Sequence, residues 1–175
     1  MLEVPLHTPI GVVSVNPMTV LVRPAMSEDY GAFCAILAQA DRDHAKGLPK
    51  VFQAPRSPAR PRTMYDDLLR ADEKALLAAL FGGRVVGFVS VELRSAPPHP
   101  ISVPRRYGYV WDLVVDEPVR RQGVGRALMT AAEAWIGTHG GSECMLNVYA
   151  FNEGALAFYE DLGYGALSSQ LTKAL

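Results

Sequence analysis

The sequence is poor in cysteine and nearly balanced in charge. Only two cysteines, Cys34 and Cys144, occur in 175 residues, and both have apolar neighbours. This number is too small for a disulfide framework, so we expect reduced thiols and a cytoplasmic protein. The net charge of −1 and the isoelectric point near 6.4 leave no general basic surface. A partner held mainly through phosphate contacts, such as a nucleic acid, is therefore not expected.

The sequence also lacks a convincing leader or membrane anchor. Residues 1–19 have no basic stretch before an apolar segment, and three prolines interrupt them. We interpret them as an N-terminal extension in which Gly11–Val15 either adds an edge strand or is mobile. With 49% hydrophobic residues the chain can bury a sizeable core, and no second composition block is present. We therefore predict a single domain over residues 20–175.

The sequence does contain a glycine turn between an apolar run and an amphipathic run. Residues 109–115 predict a buried strand, and residues 127–136 have the spacing of an amphipathic helix. Between them lies the pattern Arg-x-x-Gly-x-Gly, formed by Arg120, Gly123 and Gly125. Glycines let the backbone approach a ligand, and the N–H groups that open the helix favour an anion. We therefore predict a ligand that carries phosphates.

Two familiar phosphate-binding fingerprints are missing from this turn. No Lys-Ser/Thr follows the second glycine, as in an ATPase, and no G-x-G-x-x-G is present, as in a dinucleotide-binding turn. The observed pattern is weak by itself because ordinary glycine usage produces it by chance. Its meaning depends on the residues that follow.

A second pattern follows one helix and one strand later in the chain. Residues 144–150 predict a buried strand, and Asn152 is placed to cap a short helix that Gly163 ends. Residues 152–164 read Asn-x-x-Ala-x-x-Phe-Tyr-x-x-x-Gly-Tyr. With both patterns in this order and at this spacing, the chain resembles the GNAT superfamily of N-acetyltransferases. The resemblance extends over roughly residues 20–175 and takes Val22–Ala25 as the first strand of the family.

This resemblance implies an α/β GNAT fold and acetyl-CoA as cosubstrate. The fold is a mixed twisted sheet of roughly six to seven strands flanked by about four helices. The strands at 109–115 and 144–150 splay apart, and the pantetheine arm pairs there with free backbone groups. Arg121 and Arg126 either reach phosphate or solvate the turn. The cofactor-binding residues implied by the family pattern are Leu113, Val114, Val115, Arg120, Arg121, Gln122, Gly123, Val124, Gly125, Arg126, Asn152 and Tyr159.

The rest of the chain agrees with the element order of this family. Proline-rich segments, which favour loops, separate runs with helix or strand periodicity. In chain order we expect a strand at 22–25, a helix from Ser27, a long loop at 47–62, a helix from Thr63, strands at 75–81 and 84–93 joined by a glycine hairpin, and a last strand at 166–175.

The expected chemistry is direct transfer of an acetyl group from a thioester to an amine. The amine, with a pKa of about 10.4, must lose a proton, and the leaving thiolate, with a pKa of about 8.5, benefits from gaining one. Tyr159 matches the family tyrosine that acts as the acid. The alternative is that Tyr159 only packs with its neighbours or hydrogen-bonds the cofactor.

The base is where the sequence departs from the polyamine-type members of the family. They have a glutamate at the position of Trp111, so their base cannot be transferred to this chain. Asp112 is adjacent, but in a regular strand it faces the opposite side unless a bulge re-aims it. Glu92 on the neighbouring strand is the other candidate. For either residue the alternative is a strand carboxylate that pairs with an arginine.

Two residues are candidates for the acceptor pocket. Trp111 either stacks on a cationic amine or belongs to the core. His44 precedes the proline-rich loop, where the family builds its acceptor site, and is otherwise a surface or capping residue.

The patterns together predict an acetyl-CoA-dependent N-acetyltransferase that acts on a primary amine of a small molecule or peptide. The alternative is a non-catalytic acyl-CoA sensor of the same fold, because the glutamate at position 111 is missing. No metal, nucleic acid or membrane partner is expected. A homodimer is compatible with the family, and the sequence does not identify the amine.

Overall fold

Helices and strands are interspersed along the chain, as in an α/β protein. A computed structural model describes residues 19–173, so the expected edge strand at Gly11–Val15 lies outside the described residues. Short 3-10 turns at Ser27–Asp29 and Glu117–Val119 accompany the main elements. In chain order these are β1 (Leu21–Pro24), α1 (Tyr30–Gly47), α2 (Arg62–Arg70), β2 (Lys74–Phe81), β3 (Arg84–Ser95), β4 (Arg106–Val115), α3 (Val124–Thr138), β5 (Cys144–Leu146) and α4 (Glu153–Asp161).

The strands in the described part of the chain form one mixed sheet in the order β1-β2-β3-β4-β5. Strands β1 to β4 pair antiparallel, and β5 joins β4 in parallel. The hairpin between β2 and β3 is confirmed, and Gly82 and Gly83 form its turn with φ values of 57° and 77°. None of the helices within residues 19–173 is long and apolar enough to cross a bilayer.

The end of the sheet differs from the prediction. The described residues contain five strands rather than six to seven, because residues 166–173 form no strand. The large apolar side chains of that segment are Leu167 and Leu171, which are 73% and 92% exposed. Since neither is buried, strand pairing there would gain no apolar contact. Strand β5 also ends at Leu146, four residues earlier than expected.

Each face of the sheet has its own apolar core. On the face covered by α3, called the α3 face, Leu128 and Met129 pack with Val89 of β3. On the face covered by α1 and α2, called the α1 face, Phe33 and Tyr65 pack around Phe88 of the same strand. The three aromatic rings of the α1 face are at most 1% exposed, and burial of this much ring surface stabilises the packing of both helices on the sheet.

A β-bulge in β4 changes which residues face which core. Ser90 pairs with Asp112 and Val91 pairs with Val110, so Trp111 is an extra residue in β4. Before the bulge Val110 packs on the α3 face, but after it Val114 packs on the α1 face. A regular strand would keep two residues at an even spacing on one face. The bulge therefore turns Asp112 towards the α1 face, beside its pairing partner Ser90.

Strands β4 and β5 pair along only part of their length. Gly108, Tyr109 and Val110 pair with Cys144, Met145 and Leu146, and the pairing ends there. From residue 111 onwards the β5-facing edge of β4 has no strand partner within residues 19–173. The two strands thus separate at the position where the splay is expected.

Candidate active site

The turn before α3 places backbone N–H groups at an open helix end. Gly123 has a φ of 83°, a left-handed conformation that glycine adopts without steric cost. Arg121 also has a positive φ of 65°. No side chain of the described residues caps α3 at Gly123. The N–H of Ala127 bonds back to the Gly123 carbonyl at 3.0 Å, so the N–H groups that precede it are free to face an anion.

Gly125 lets the two sequence motifs lie side by side. A Cβ atom at this position would lie 3.3 Å from the ring of Phe158 and 3.9 Å from the side chain of Val115. The start of α3 therefore packs closely against α4 and the end of β4. The second motif begins at Asn152, whose side chain accepts a hydrogen bond from the N–H of Ala155 at 3.1 Å. This confirms Asn152 as the predicted cap of α4.

Arg120 is held by protein groups. Its Nε donates to the Val115 carbonyl at 3.0 Å, and one of its terminal nitrogens lies 3.4 Å from Asp43 of α1. These contacts tie the turn to the end of β4 and to α1. Arg121 and Arg126 are exposed and form no ion pair with the described residues. Arg120 thus shapes the turn, and the other two arginines are available to a ligand.

The predicted acid, Tyr159, lies on α4 and packs against the core of the α3 face. Its ring packs against Phe158 and Tyr164, with centroid distances of 5.2 and 5.6 Å. Burial raises the pKa of Tyr159 to about 12, with a smaller contribution from the nearby Cys144 thiol. The phenol therefore stays protonated at neutral pH. Its hydroxyl makes no hydrogen bond within residues 19–173 and is not fully buried, so it is available as a donor.

Glu92, one of the two candidate bases, lies within a set of positive charges on the α1 face. Its Oε2 accepts from Trp111 Nε1 at 2.7 Å and from Arg94 at 3.0 Å, and Lys74 lies 3.7 Å away. Burial raises the pKa of Glu92, but the hydrogen bonds from Trp111 and Arg94 outweigh it and hold the pKa below its usual value. A carboxylate held in this way accepts a proton poorly. The geometry favours the arginine-paired alternative for Glu92.

Trp111 is neither a core residue nor an open cation site. Its side chain is 54% exposed. The guanidinium carbon of Arg94 lies 4.6 Å from the ring centroids of both Trp111 and Tyr109. Arg94 thus supplies the cation–π contact that the sequence suggested for a ligand amine.

Asp112, the other candidate base, is held by Ser90. The Ser90 hydroxyl donates to Asp112 Oδ2 at 3.0 Å and accepts from the backbone N–H of Asp112 at 3.1 Å. Ser90 is only 3% exposed, so both partners of this reciprocal pair are fixed. Among the described residues no arginine, lysine or histidine pairs with Asp112, and its Oδ1 is left for a ligand. The bulge and Ser90 together present a carboxylate that has no ion-pair partner among the described residues.

The proline-rich loop borders the same face through Arg60. Arg60 binds both carboxylate oxygens of Asp41 on α1, at 2.8 and 3.1 Å. The Arg60 carbonyl accepts the hydroxyl of Tyr30 at 2.7 Å. The hydrogen bond to Asp41 raises the pKa of Arg60, and the charge of Asp112 adds to this, which places Asp112 near the loop. A groove of about 590 Å³ lies along residues 52–61 and Asp41.

His44 belongs to an aromatic cluster that holds the loop to the segment after β5. Its ring centroid lies 5.1 Å from Phe52, 5.5 Å from Tyr149 and 6.0 Å from Phe151. A Cβ atom at Gly47 would overlap the Phe151 ring, so the end of α1 also approaches this cluster closely. These contacts favour a structural role for His44 beside the groove over direct contact with an acceptor.

Sequence reasoning did not find Ser90, Arg94, Arg60 or Asp41. Ser90 had one available signal, because it is a lone polar residue inside the apolar run at 85–91. The ion pair between Arg60 and Asp41 joins residues from a loop and a helix, and no local pattern reveals it. Within residues 19–173, no three His, Cys, Asp or Glu side chains are grouped closely enough to hold a metal ion.

Solved structures share this fold at low sequence identity. A mutant BH1408 protein from Bacillus halodurans has a TM-score of 0.85 at 24% identity, over 89% of this chain and 99% of that chain. An acetyltransferase from Trypanosoma brucei has a TM-score of 0.64 at 23% identity, over the same two shares. The aminoglycoside N-acetyltransferase AAC(6')-Iy in complex with CoA has a TM-score of 0.68 at 16% identity, over 93% and 99%. No curated protein matches the sequence of the chain.

The described fold is a mixed sheet in which β4 and β5 separate, beside a helix that opens at the turn of residues 123–125. The profile of the acetyltransferase (GNAT) family matches residues 39–164, which is most of the chain. This protein therefore belongs to the GNAT family.

Proposed function

We propose that this protein transfers the acetyl group of acetyl-CoA to a primary amine by direct attack in a ternary complex. The observation that carries the proposal is the carboxylate of Asp112, which the bulge turns towards the α1 face and which forms no ion pair with the described residues. It lies where β4 has left β5, beside the splay expected to hold the thioester.

The residues that would hold the cosubstrate are those of the turn and of the free edge of β4. The N–H groups of residues 122–126 fit a pyrophosphate, because they open an uncapped helix. Arg121 and Arg126 are exposed beside them and add positive charge. The backbone of residues 113–115 fits the amides of pantetheine. Acetyl-CoA supplies the activated acetyl thioester.

Asp112, on the α1 face, takes the proton of the amine, and Tyr159, on the α3 face, acts on the leaving sulfur. As the amine nitrogen forms its bond to the carbonyl carbon, Asp112 accepts the proton that the nitrogen loses. As the carbon–sulfur bond breaks, the hydroxyl of Tyr159 donates a hydrogen bond and then a proton to the leaving sulfur. Because its raised pKa of about 12 makes proton transfer harder, the hydrogen bond to the developing thiolate is its main contribution.

We also propose a cytoplasmic location, as the composition predicts. Cys34 and Cys144 are both free thiols, on α1 and on β5. Peptide amines and a homodimer stay predictions.

The test is acetyl-CoA-dependent release of CoA thiol by the purified protein across a panel of amines. Release stimulated by an amine, with the N-acetyl product identified by mass spectrometry, supports the proposal. Binding of acetyl-CoA without release for any amine would instead support the sensor alternative. The Asp112→Asn variant serves as the catalytically impaired control in the same assay.

A further inference from the structure

We infer that the acceptor is a primary amine with a single positive charge on an apolar body, and that polycationic amines are poor acceptors. The inference rests on the proposed acetyl transfer and names the substrate class of that site. Three features of the α1 face carry it, namely its charge pairing, its aromatic surfaces and the groove beside it.

Of three carboxylates on this side of the sheet, two are already neutralised. Glu92 is paired with Arg94 and Lys74, and Asp41 is paired with Arg60 through both of its oxygens. Asp112 alone among these three forms no ion pair with the described residues, although the charge of Arg60 acts on it. A bound polyamine needs a carboxylate or equivalent acceptor for each ammonium group, because an unpaired desolvated charge is costly. Of the three carboxylates, only Asp112 is left without an ion pair.

The aromatic surfaces exclude a second ligand cation for a related reason. The guanidinium of Arg94 lies over the rings of Tyr109 and Trp111 at 4.6 Å. An ammonium group approaching the same rings would meet the charge of Arg94. The exposed half of Trp111 therefore offers apolar contact rather than a cation–π site.

The groove beside Arg60 fits the apolar body of the acceptor. Its volume of about 590 Å³ lies within the range of small-molecule sites. The charged residues Asp41 and Arg60 neutralise one another in its wall, and proline rings limit its flexibility. The apolar side chains of the wall are Phe52, Ala54, Pro55, Pro58, Ala59 and Pro61.

Arg60 links this groove to the carboxylate that would receive the amine. It lies in the wall of the groove, and its carbonyl is fixed to α1 by Tyr30. Helix α1 in turn packs on Phe88 and Val114, which lie two positions from Ser90 and Asp112 on the same face. The loop and Asp112 therefore lie on the same face of the sheet, and the apolar body of the acceptor is inferred to extend from Asp112 along the loop.

The first experiment compares kcat/KM for 2-phenylethylamine, spermidine and kanamycin in the CoA-release assay. We expect at least a tenfold preference for 2-phenylethylamine over both polycations. An equal or higher kcat/KM for spermidine or kanamycin would overturn this inference and leave the acetyl transfer intact. Release with none of these three amines and with none of the wider panel, despite acetyl-CoA binding, would overturn the acetyl transfer and this inference with it.

Two variants test the charge argument separately. Arg60→Ala releases Asp41, and Arg94→Gln releases Glu92 and the two aromatic rings. Each should shift the spermidine to 2-phenylethylamine ratio of kcat/KM at least fivefold towards spermidine. The control is Arg105→Ala. Arg105 lies just before β4 and forms a 3.4 Å ion pair with Glu143, and its loss should leave the ratio unchanged. If Arg60→Ala does not fold, Arg94→Gln still decides, and an unchanged ratio in the folded variants would overturn the charge argument.

Discussion

The proposed cofactor side and the proposed acceptor side of this sheet are built from different atoms. On the proposed cofactor side the available groups are main-chain N–H groups at the start of α3 and the free edge of β4. On the acceptor side they are side chains whose charges pair with one another, as Glu92 does with Arg94. A main-chain site depends on backbone conformation, whereas a side-chain site depends on which partners the fold brings together. The two sides should therefore respond differently to mutation.

The largest effect is expected at Gly123, where the cofactor side depends on backbone conformation. Gly123→Glu places a Cβ at a φ of 83° and a negative charge where the pyrophosphate would bind. We expect at least a hundredfold loss of acetyl-CoA affinity, measured by calorimetry. The control is Gly137→Glu on the same helix, where a Cβ meets no atom within 4 Å. Equal affinity in the two folded variants would contradict the proposed pyrophosphate site.

The next effect separates the two carboxylates of the acceptor side. Asp112→Asn should lower kcat/KM about 10³-fold, within the usual range for loss of a general base. Glu92→Gln should cost less than tenfold, because Glu92 is already paired with Arg94 and Trp111. Acetyl-CoA affinity should stay within twofold of wild type in both variants. If the order of the two effects is reversed, Glu92 is the base.

A smaller effect is expected for the tyrosine on the opposite face. Tyr159→Phe should lower kcat about 10²-fold with little change in acetyl-CoA affinity, because the hydroxyl acts on the leaving sulfur. With its pKa at about 12, Tyr159 should cause no loss of activity between pH 8 and 10 in wild type. Tyr164→Phe is the control, since its hydroxyl donates to Glu133 at 2.6 Å. Equal turnover in wild type and Tyr159→Phe would remove Tyr159 as the acid.

Ser90 should have a moderate effect through Asp112. Ser90→Ala leaves the N–H and Oδ2 of Asp112 without their partner, and we expect about a tenfold loss of kcat/KM. Ser90→Thr retains the hydroxyl and should recover most of this loss if the added methyl group is accommodated. The pH profile of kcat/KM should move in Ser90→Ala and not in Ser90→Thr. An unmoved profile in Ser90→Ala would limit Ser90 to a structural role.

The smallest effect concerns the core beneath the acceptor side. Burial raises the pKa of Tyr65 to about 12 from its ordinary 10.0. The pKa of Tyr65 is higher in the folded than in the unfolded protein, so the protonated phenol favours the folded state. This contribution to the unfolding free energy is complete below pH 10 and is lost as the pH rises towards 12. Between pH 10 and 11, wild type should lose about 1 kcal/mol more of its unfolding free energy than Tyr65→Phe. Denaturant unfolding at the two pH values measures the difference, and parallel curves would contradict it.

Most of the fold followed from local patterns. The hairpin at Gly82-Gly83 and the cap at Asn152 were predicted where they occur, because each depends on residues next to one another. Helix α2 begins at Arg62, one residue before the expected Thr63. The expected strand at 166–175 is absent over 166–173, since strand formation depends on a neighbour and on burial as well as on composition.

The two motifs of the candidate site could be recognised in the sequence because they are local signals. Gly125 brings them into contact in the fold, and their roles in binding stay predictions. The sequence left Asp112 and Glu92 as equal candidates for the base. Only the register of β3 against β4 distinguishes them, because it places the bulge at Trp111 and turns Asp112 towards Ser90.

The sequence alone determined the family, the element order to α4 and the glycine turn before α3, because glycine conformations and apolar periodicity act over a few neighbouring residues. The tertiary structure decided which carboxylates are neutralised and which one is left open. Asp41 meets Arg60 across 19 positions of the chain, and Glu92 meets Trp111 across the same number. Such pairings depend on strand register and helix packing, and these are set by the burial of the whole core rather than by any local pattern.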